Sequence, residues 1–251
     1  MLGSGLFNTY NPASVWADDS AIFFDGVNDY VYIDCHILVN IAGKNTTTLS
    51  LWFKADEPPE ANFFIWQHKE TSGSNDANQY LWYDEGNEQV KFTRTDTDGN
   101  SATTSIYNWN KVRVQTWAHV IVTIDKDDAM IILINNTADA SGTTATSPGA
   151  WTSGTTKIYY GSNAGANSFF NGYVSNVAIW TKLLTLTERT AIYNNGYAKN
   201  ELNTSLSDLF LYHVSNERNH SSDTGYQIVT YALANSRRAN YSGAIITSRP
   251  D

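Results

Sequence analysis

A single cysteine, Cys35, stands in 251 residues, so no disulfide can close within the chain and the fold must rest on core packing and backbone pairing. Charged residues make up only 16% and sum to a net charge of -9. A nucleic-acid surface needs clustered lysine and arginine, and an anionic bilayer repels an acidic protein, so neither partner is expected. No apolar run approaches the roughly 18 residues of a membrane span. Residues 1–16 contain neither a charged n-region nor a continuous apolar h-region, which argues against a secretory leader. No self-similar period of about 20–50 residues is visible. Chemistry-bearing motifs are missing too: there is no Gly-x-Ser-x-Gly elbow, no phosphate-cradling Gly-Lys-Ser/Thr loop and no paired-histidine zinc motif. His36, His68, His119, His213 and His220 are scattered without ligand spacing. Catalysis finds no support, and the chain reads as a non-enzyme.

What is present is aromatic and polar without being charged. Aromatic residues are 13%, with 8 Trp and 15 Tyr, which together with abundant Asn, Thr and Ser fits a β-sandwich with uncharged loops. The length suits one substantial core. Residues 1–20 lack periodicity and form an irregular arm. Residues 21–33 hold two short strands around Asp25, Gly26, Val27 and Asn28, a signal for a hairpin turn. Residues 48–54 alternate Leu49, Leu51 and Phe53 against Ser50, Trp52 and Lys54. Residues 62–68 are a further strand. Hairpins are expected around Asp84–Asn87, around Asp96–Gly99 and around Asp125–Asp128.

The stretch that organises the rest is residues 169–196. Its first part is rich in β-branched and aromatic side chains, with Gly172 inside the run, and Val174, Val177 and Ile179 break strict alternation, which predicts a bulge. Thr185 and Glu188 then form a capping box. A short helix follows with Leu186, Ala191, Ile192 and Tyr193 on its apolar side, and Asn194, Asn195 and Gly196 stop it. Residues 206–214 read as a last strand, and residues 215–251 as an extension that packs partly on the sandwich or on another subunit.

This order of strand, glycine, cap and helix resembles the C-terminal signature of the laminin G-type, concanavalin A-like jelly rolls. Phe24, Asp25 and Gly26 followed by Asp29, Tyr30 and Val31 resemble the family's opening, and Trp117, His119 and Val120 resemble its central motif. The resemblance implies an all-β, antiparallel jelly-roll β-sandwich of concanavalin A-like, laminin G-like type, with one short helix near residues 186–194. The domain spans residues 21–214, between the arm 1–20 and the extension 215–251. The resemblance further implies that Trp117 and His119 are structural. It leaves room for a calcium ion between the opening turn and the late strand, with Asp25 and Asp29 as weak ligands. The family's acidic pair in that late strand is replaced here by Ser175 and Asn176, which removes two charges from that arrangement. The hydrolases of this fold carry alternating acids on one strand, and no such triplet exists here; Asp84, Glu85 and Glu88 surround a turn instead.

Sugar binding uses exposed aromatic faces flanked by hydrogen-bonding side chains. The candidates for glycan binding, or for an interface, are Trp109, Trp151, Trp66, Trp82, Tyr83 and His68. Core packing is the competing role for Trp66 and Trp82, while loop contexts favour Trp109 and Trp151. The five Asn-x-Ser/Thr sequons are accidents of a composition rich in Asn and Thr. Jelly-roll modules of this type usually sit outside cells, and a chain without a leader fits a virion component. The expectation is a structural, decoration or adhesion protein of a virion, of bacteriophage type, displayed on the particle surface, oligomeric in its assembly, with virion or surface proteins and cell-surface glycans as partners. The alternative is a carbohydrate-binding module of a secreted or surface protein.

Overall fold

The computed structural model describes residues 20–34, 46–56, 61–70, 78–96, 99–107, 115–125, 129–137, 145–146, 156–193, 209–213, 227–228 and 237–248. Within them the strands are β1 (Ser20–Asp25), β2 (Tyr30–Asp34), β3 (Thr46–Ala55), β4 (Phe63–Glu70), β5 (Asn78–Asp84), β6 (Gln89–Thr95), β7 (Ser101–Tyr107) and β8 (Ala118–Asp125). They continue as β9 (Ala129–Ile134), β10 (Ala145–Thr146), β11 (Thr156–Tyr160), β12 (Asn171–Trp180), β13 (Leu209–His213), β14 (Gln227–Ile228), β15 (Arg237–Ser242) and β16 (Ile245–Ser248). One α-helix, α1 (Leu186–Tyr193), follows β12.

The strands form two antiparallel sheets. The first runs β10-β9-β8-β3-β12-β1-β16, with β13 paired to the second half of β12. The other runs β14-β15-β2-β11-β4-β5-β6-β7. Between them lies one apolar core. Leu49, Leu51 and Phe53 of β3 stand in register with Val122, Val120 and Ala118 of β8 and meet Leu81, Phe92, Ile158 and Tyr160 of the other sheet, all buried. The alternation in β3 therefore sorts as its sequence predicts, because a period of two puts every second side chain on the core side.

The opposite face of the first sheet is also covered. Leu184 and Ile192, from the start and end of the helical segment, are buried there. Tyr193 stacks on Trp52 and on His119 with centroids 6.1 and 5.9 Å apart. Leu186, assigned to the apolar side from its spacing, is instead 64% exposed, because the helix enters through Leu184 and turns its first residue outward. The capping box is present: the Glu188 amide donates to Thr185 Oγ1 at 3.3 Å, and the Thr185 amide donates to Glu188 Oε2 at 2.8 Å.

The bulge in β12 falls where alternation fails. Pairing with β3 shifts register between Ser175 and Ala178, and Asn176 sits at φ 48°, a left-handed conformation that asparagine tolerates. Gly172 answers a close approach: a Cβ there would lie 2.1 Å from the Lys54 carbonyl oxygen.

Two expectations need correction. Asp25–Asn28 does not close a hairpin: β1 pairs with β12 and β16, whereas β2 pairs with β11 and β15, so this turn carries the chain from one sheet to the other. Neither is β13 the last strand, since β15 extends one sheet beside β2 and β16 the other beside β1.

Candidate functional site

Register assembles a surface that no single segment contains. Across the outer face of the second sheet, Tyr32 stands opposite Tyr159, Tyr159 opposite Gln67, Gln67 opposite Tyr80, Tyr80 opposite Thr93 and Thr93 opposite Thr103. At strand spacings near 4.8 Å this row is about 24 Å long and runs across the strands. A second row holds Trp82, Lys91 and Ser105, with Phe64 beside Trp82. A third holds Lys157, Lys69, Asn78, Thr95 and Ser101.

The rings touch one another: Tyr32 and Tyr159 lie 6.2 Å apart, Tyr30 and Tyr32 6.3 Å, and Phe64 and Tyr80 5.0 Å. Tyr30, Tyr32, Phe64, Tyr80 and Trp82 are partly exposed, so each keeps ring surface for a ligand. Between the two aromatic groups sits Gln67, wholly buried and with its amide fully engaged. Its Nε2 donates to Asn78 Oδ1 at 3.2 Å and Asn163 Oδ1 at 3.3 Å, and its Oε1 accepts from the Ala164 amide at 2.7 Å. This holds the Asn78 and Asn163 amides in place at the surface. Asn163 also donates to Asn167 Oδ1 at 3.1 Å. Trp82 Nε1 donates to Thr93 Oγ1 at 3.2 Å, and Thr93 shares a hydrogen bond with Thr103 at 2.9 Å, which fixes the indole plane.

The acidic and basic groups of this face are not evenly spread. Lys91 leans over the Trp82 ring, 5.5 Å from its centroid, and is ion-paired to Asp84. Burial pushes the Asp84 carboxyl upward, but hydrogen bonds from Lys91 and Asn87 outweigh it and hold the group below the usual carboxylate range. Lys157 Nζ lies 4.6 Å from the Tyr32 centroid.

The residues singled out from sequence divide by sheet face. Trp82 lies on the outer surface, and its neighbour Tyr83 points inward, buried, stacked on Phe63 at 5.3 Å. Trp66 and His68 are also inward and buried. The register shift between Phe64 and Trp66 turns Trp66 into the core, so Trp66, His68 and Tyr83 offer no ring face to a ligand. Trp109 and Trp151 lie outside the described residues. Tyr30, Tyr32, Tyr80, Tyr159, Phe64, Gln67 and Asn78 escaped sequence reasoning. The available signal was alternation within each strand; what joins these residues is pairing between strands far apart in the chain.

His119 is structural: it is buried, shares a 2.8 Å hydrogen bond with Ser50 Oγ and stacks on Trp52 at 4.8 Å. Asp25 and Asp29 serve the turn. Asp25 Oδ1 accepts from the Val27 amide at 2.8 Å and Asp29 Oδ2 from the Asp25 amide at 2.9 Å. Asp29 Oδ1 lies 1.8 Å from where a Cβ on Gly243 would be, so Gly243 packs directly on this carboxylate. Burial raises the Asp29 carboxyl above its usual value, partly offset by the bond from the Asp25 amide. A cation here would compete with the bonds that shape the turn. Asp25 pairs with Asn171, which puts Ser175 about 13 Å further along β12, too far to share an ion with the turn. Among the described residues no group of three or more His, Cys, Asp or Glu side chains is clustered to hold a metal ion, and no helix is long and apolar enough to cross a membrane.

Comparison with known proteins agrees with this architecture. The family described as the concanavalin A-like lectin/glucanases superfamily matches residues 25–188. Three solved structures share the fold. A candidate carbohydrate-binding protein from Bacteroides ovatus aligns at TM-score 0.56 and 14% identity over 93% of this chain, which spans 60% of that protein's chain. A native heptameric SAP-like pentraxin from Limulus polyphemus aligns at TM-score 0.56 and 12% identity, covering 94% of this chain and 98% of its own. The CBM40 of a Ruminococcus gnavus IT-sialidase, bound to α2,3-sialyllactose, aligns at TM-score 0.52 and 15% identity over 68% of this chain and 96% of its own. Identities this low establish fold alone. A sequence search of curated proteins returned no match.

Proposed function

Because this chain belongs to the concanavalin A-like lectin/glucanases superfamily, we propose that it is a non-catalytic glycan-binding domain whose ligand lies across the outer face of the second sheet. The observation that carries this reading is the cross-strand row from Tyr32 through Tyr159, Gln67 and Tyr80 to Thr93 and Thr103. Sugar rings present apolar C–H faces edged by hydroxyls. An aromatic ring takes the first and an amide or hydroxyl the second, and here tyrosines stand on both sides of Gln67, which holds the partly exposed Asn78 and Asn163 amides beside them. The Gln67 amide, buried and saturated by its neighbours, makes the line rigid before a ligand arrives, which reduces the ordering cost of binding. A glycan microarray tests the reading: the wild type shows saturable binding to a subset of oligosaccharides, and Tyr80→Ala removes it while the thermal melt is retained. Binding that survives Tyr80→Ala but is lost in Trp109→Ala or Trp151→Ala moves the site to the loops, and no binding to any glycan ends the proposal.

The setting of the domain is proposed as the surface of a virion, in contact with other particle proteins, with a secreted or cell-surface module as the second reading. A sandwich that needs no disulfide, having one cysteine in the chain, can fold in a reducing cell before assembly, which favours the first. Mass spectrometry of purified native particles decides: the chain is present among the particle proteins, or the virion reading is lost.

A further inference from the structure

We propose that this face takes a single extended polysaccharide chain of diequatorially linked sugars, the linkage geometry of cellulose, mannan and xylan, and holds an internal stretch of it across the strands. The inference rests on the glycan-binding reading and names the ligand's class and length. One sugar of such a chain advances by nearly one strand spacing, about 4.8 Å, so each strand in the order β2-β11-β4-β5-β6-β7 meets about one sugar. The partly exposed rings fall into two groups on opposite sides of Gln67: Tyr30 with Tyr32, and Phe64 with Tyr80 and Trp82. Tyr32 and Tyr80 are three strand steps apart, about 14 Å, so neither a monosaccharide nor a disaccharide reaches from one group to the other. A longer chain engages both, and its second contact is made within one complex. The row also runs on past both groups. Thr93 and the exposed Thr103 continue it beyond Tyr80, and Asn240 stands next to Tyr32 in register, so the chain lies across the face by its middle.

One flank of the row is closed by residues 162–168, which follow β11. This loop is tied to the sheet beneath it. Gln67 bonds both Asn163 and Ala164, the Phe64 amide donates to the Ser168 carbonyl at 3.1 Å, and the Gly165 amide donates to Ser162 Oγ at 2.8 Å. Gly165 lies so close to Tyr30 that a Cβ there would stand 2.9 Å from the ring. The loop therefore fills the space between Tyr30 and Phe64, and a chain follows the line of Tyr32, Gln67 and Tyr80 beside it. The face is not flat either. Tyr32 and Tyr159 are inclined at 37°, Phe64 and Tyr80 at 35°, and Tyr80 and Trp82 at 53°. Sheet twist of about 20–25° per strand adds about 60–75° between β2 and β5. The plane of a crystalline polysaccharide cannot rest on all of these rings, whereas a single chain follows the twist by rotating about its glycosidic bonds.

The test uses the full chain and length series of cello-, manno- and xylo-oligosaccharides, with malto-oligosaccharides as the coiled, axially linked control. Affinity is measured by titration calorimetry, and retention on pelleted crystalline cellulose is measured beside it. In at least one of the first three series, affinity is expected to rise tenfold or more from the disaccharide and to level off at about five units, the number of strand steps in the row. The malto series shows no such gain, and the crystalline pellet does not retain the protein. Tyr32→Ala brings the longest oligosaccharide to within about twofold of the shortest and leaves the shortest unchanged, with the thermal melt retained. Affinity that is independent of length, or a length gain that survives in folded Tyr32→Ala, overturns the extended chain. An equal gain in the malto series overturns the linkage class, and retention on crystalline cellulose that Tyr80→Ala abolishes overturns the single chain. Each of these leaves the glycan-binding reading standing, as does silence towards all four series in a protein that binds other glycans on the microarray, which overturns this inference alone. No binding to these probes or to any glycan on the array overturns both.

Discussion

Replacing His68 by glutamine should flatten the acid sensitivity of the fold. His68 lies on the inward face of β4, wholly buried, with Gln79 Nε2 3.1 Å from its Nδ1. Burial, and then the positive charge of Arg94, push its pKa down from 6.5 to about 3, so the native protein holds a neutral imidazole. Arg94 is itself buried and lowered to about 10, with Asp96 acting in the opposite direction. The native pKa lies below that of the unfolded chain, so the unfolded state binds the extra proton as pH falls through 6.5. Stability is therefore unaffected above that value and declines between pH 6.5 and pH 3. At about 1.36 kcal/mol per pH unit, the loss between pH 7.5 and pH 4.5 comes to about 2.7 kcal/mol. Urea unfolding followed by tryptophan fluorescence, stepped through that range, measures it as the difference between wild type and His68→Gln. Contributions from distant carboxylates cancel in the difference. Parallel curves for the two proteins would refute the reasoning, because they would mean that His68 is protonated to the same extent folded and unfolded.

Three further outcomes follow from the packing. Thr185→Ala removes the helix cap and should cost about 1 kcal/mol by chemical denaturation, with the Thr185 amide still able to bond Glu188. Gly172→Ala forces a Cβ against the Lys54 carbonyl in the centre of the first sheet, and a loss above about 3 kcal/mol is expected, read as failure to accumulate folded protein. Trp66→Ala and Trp82→Ala should separate stability from binding: the first opens a core cavity costing about 3–5 kcal/mol, whereas the second, on the partly exposed face, lowers the melting temperature far less and weakens glycan binding.

The parts of the fold visible in the sequence were those encoded by neighbouring residues. The cap at Thr185 and Glu188, the bulge before Val177 and the alternation of Leu49, Leu51 and Phe53 each depend on contacts within a few positions, and each appears where predicted. The failures share the opposite cause. Asp25–Asn28 has hairpin chemistry, yet the strands it joins find better partners in β12 and β11, far along the chain. Adjacent residues also part company: Trp82 faces outward and Tyr83 inward, and one extra residue near Ile65 sends Trp66 into the core. Tyr32, Tyr80 and Tyr159 carry no motif of their own. Only the order of strands in the sheet places them in one line, and that order is a property of the whole chain.

The central claim, that this line of tyrosines and amides is a binding surface, is tested most directly by calorimetric titration of the strongest microarray ligand into wild type, Tyr32→Ala, Tyr80→Ala and the Tyr32→Ala/Tyr80→Ala double variant. Each single change should weaken binding about tenfold or more and the double variant should show no measurable heat, with all four proteins melting as folded sandwiches. Undiminished affinity in the folded double variant would contradict the account.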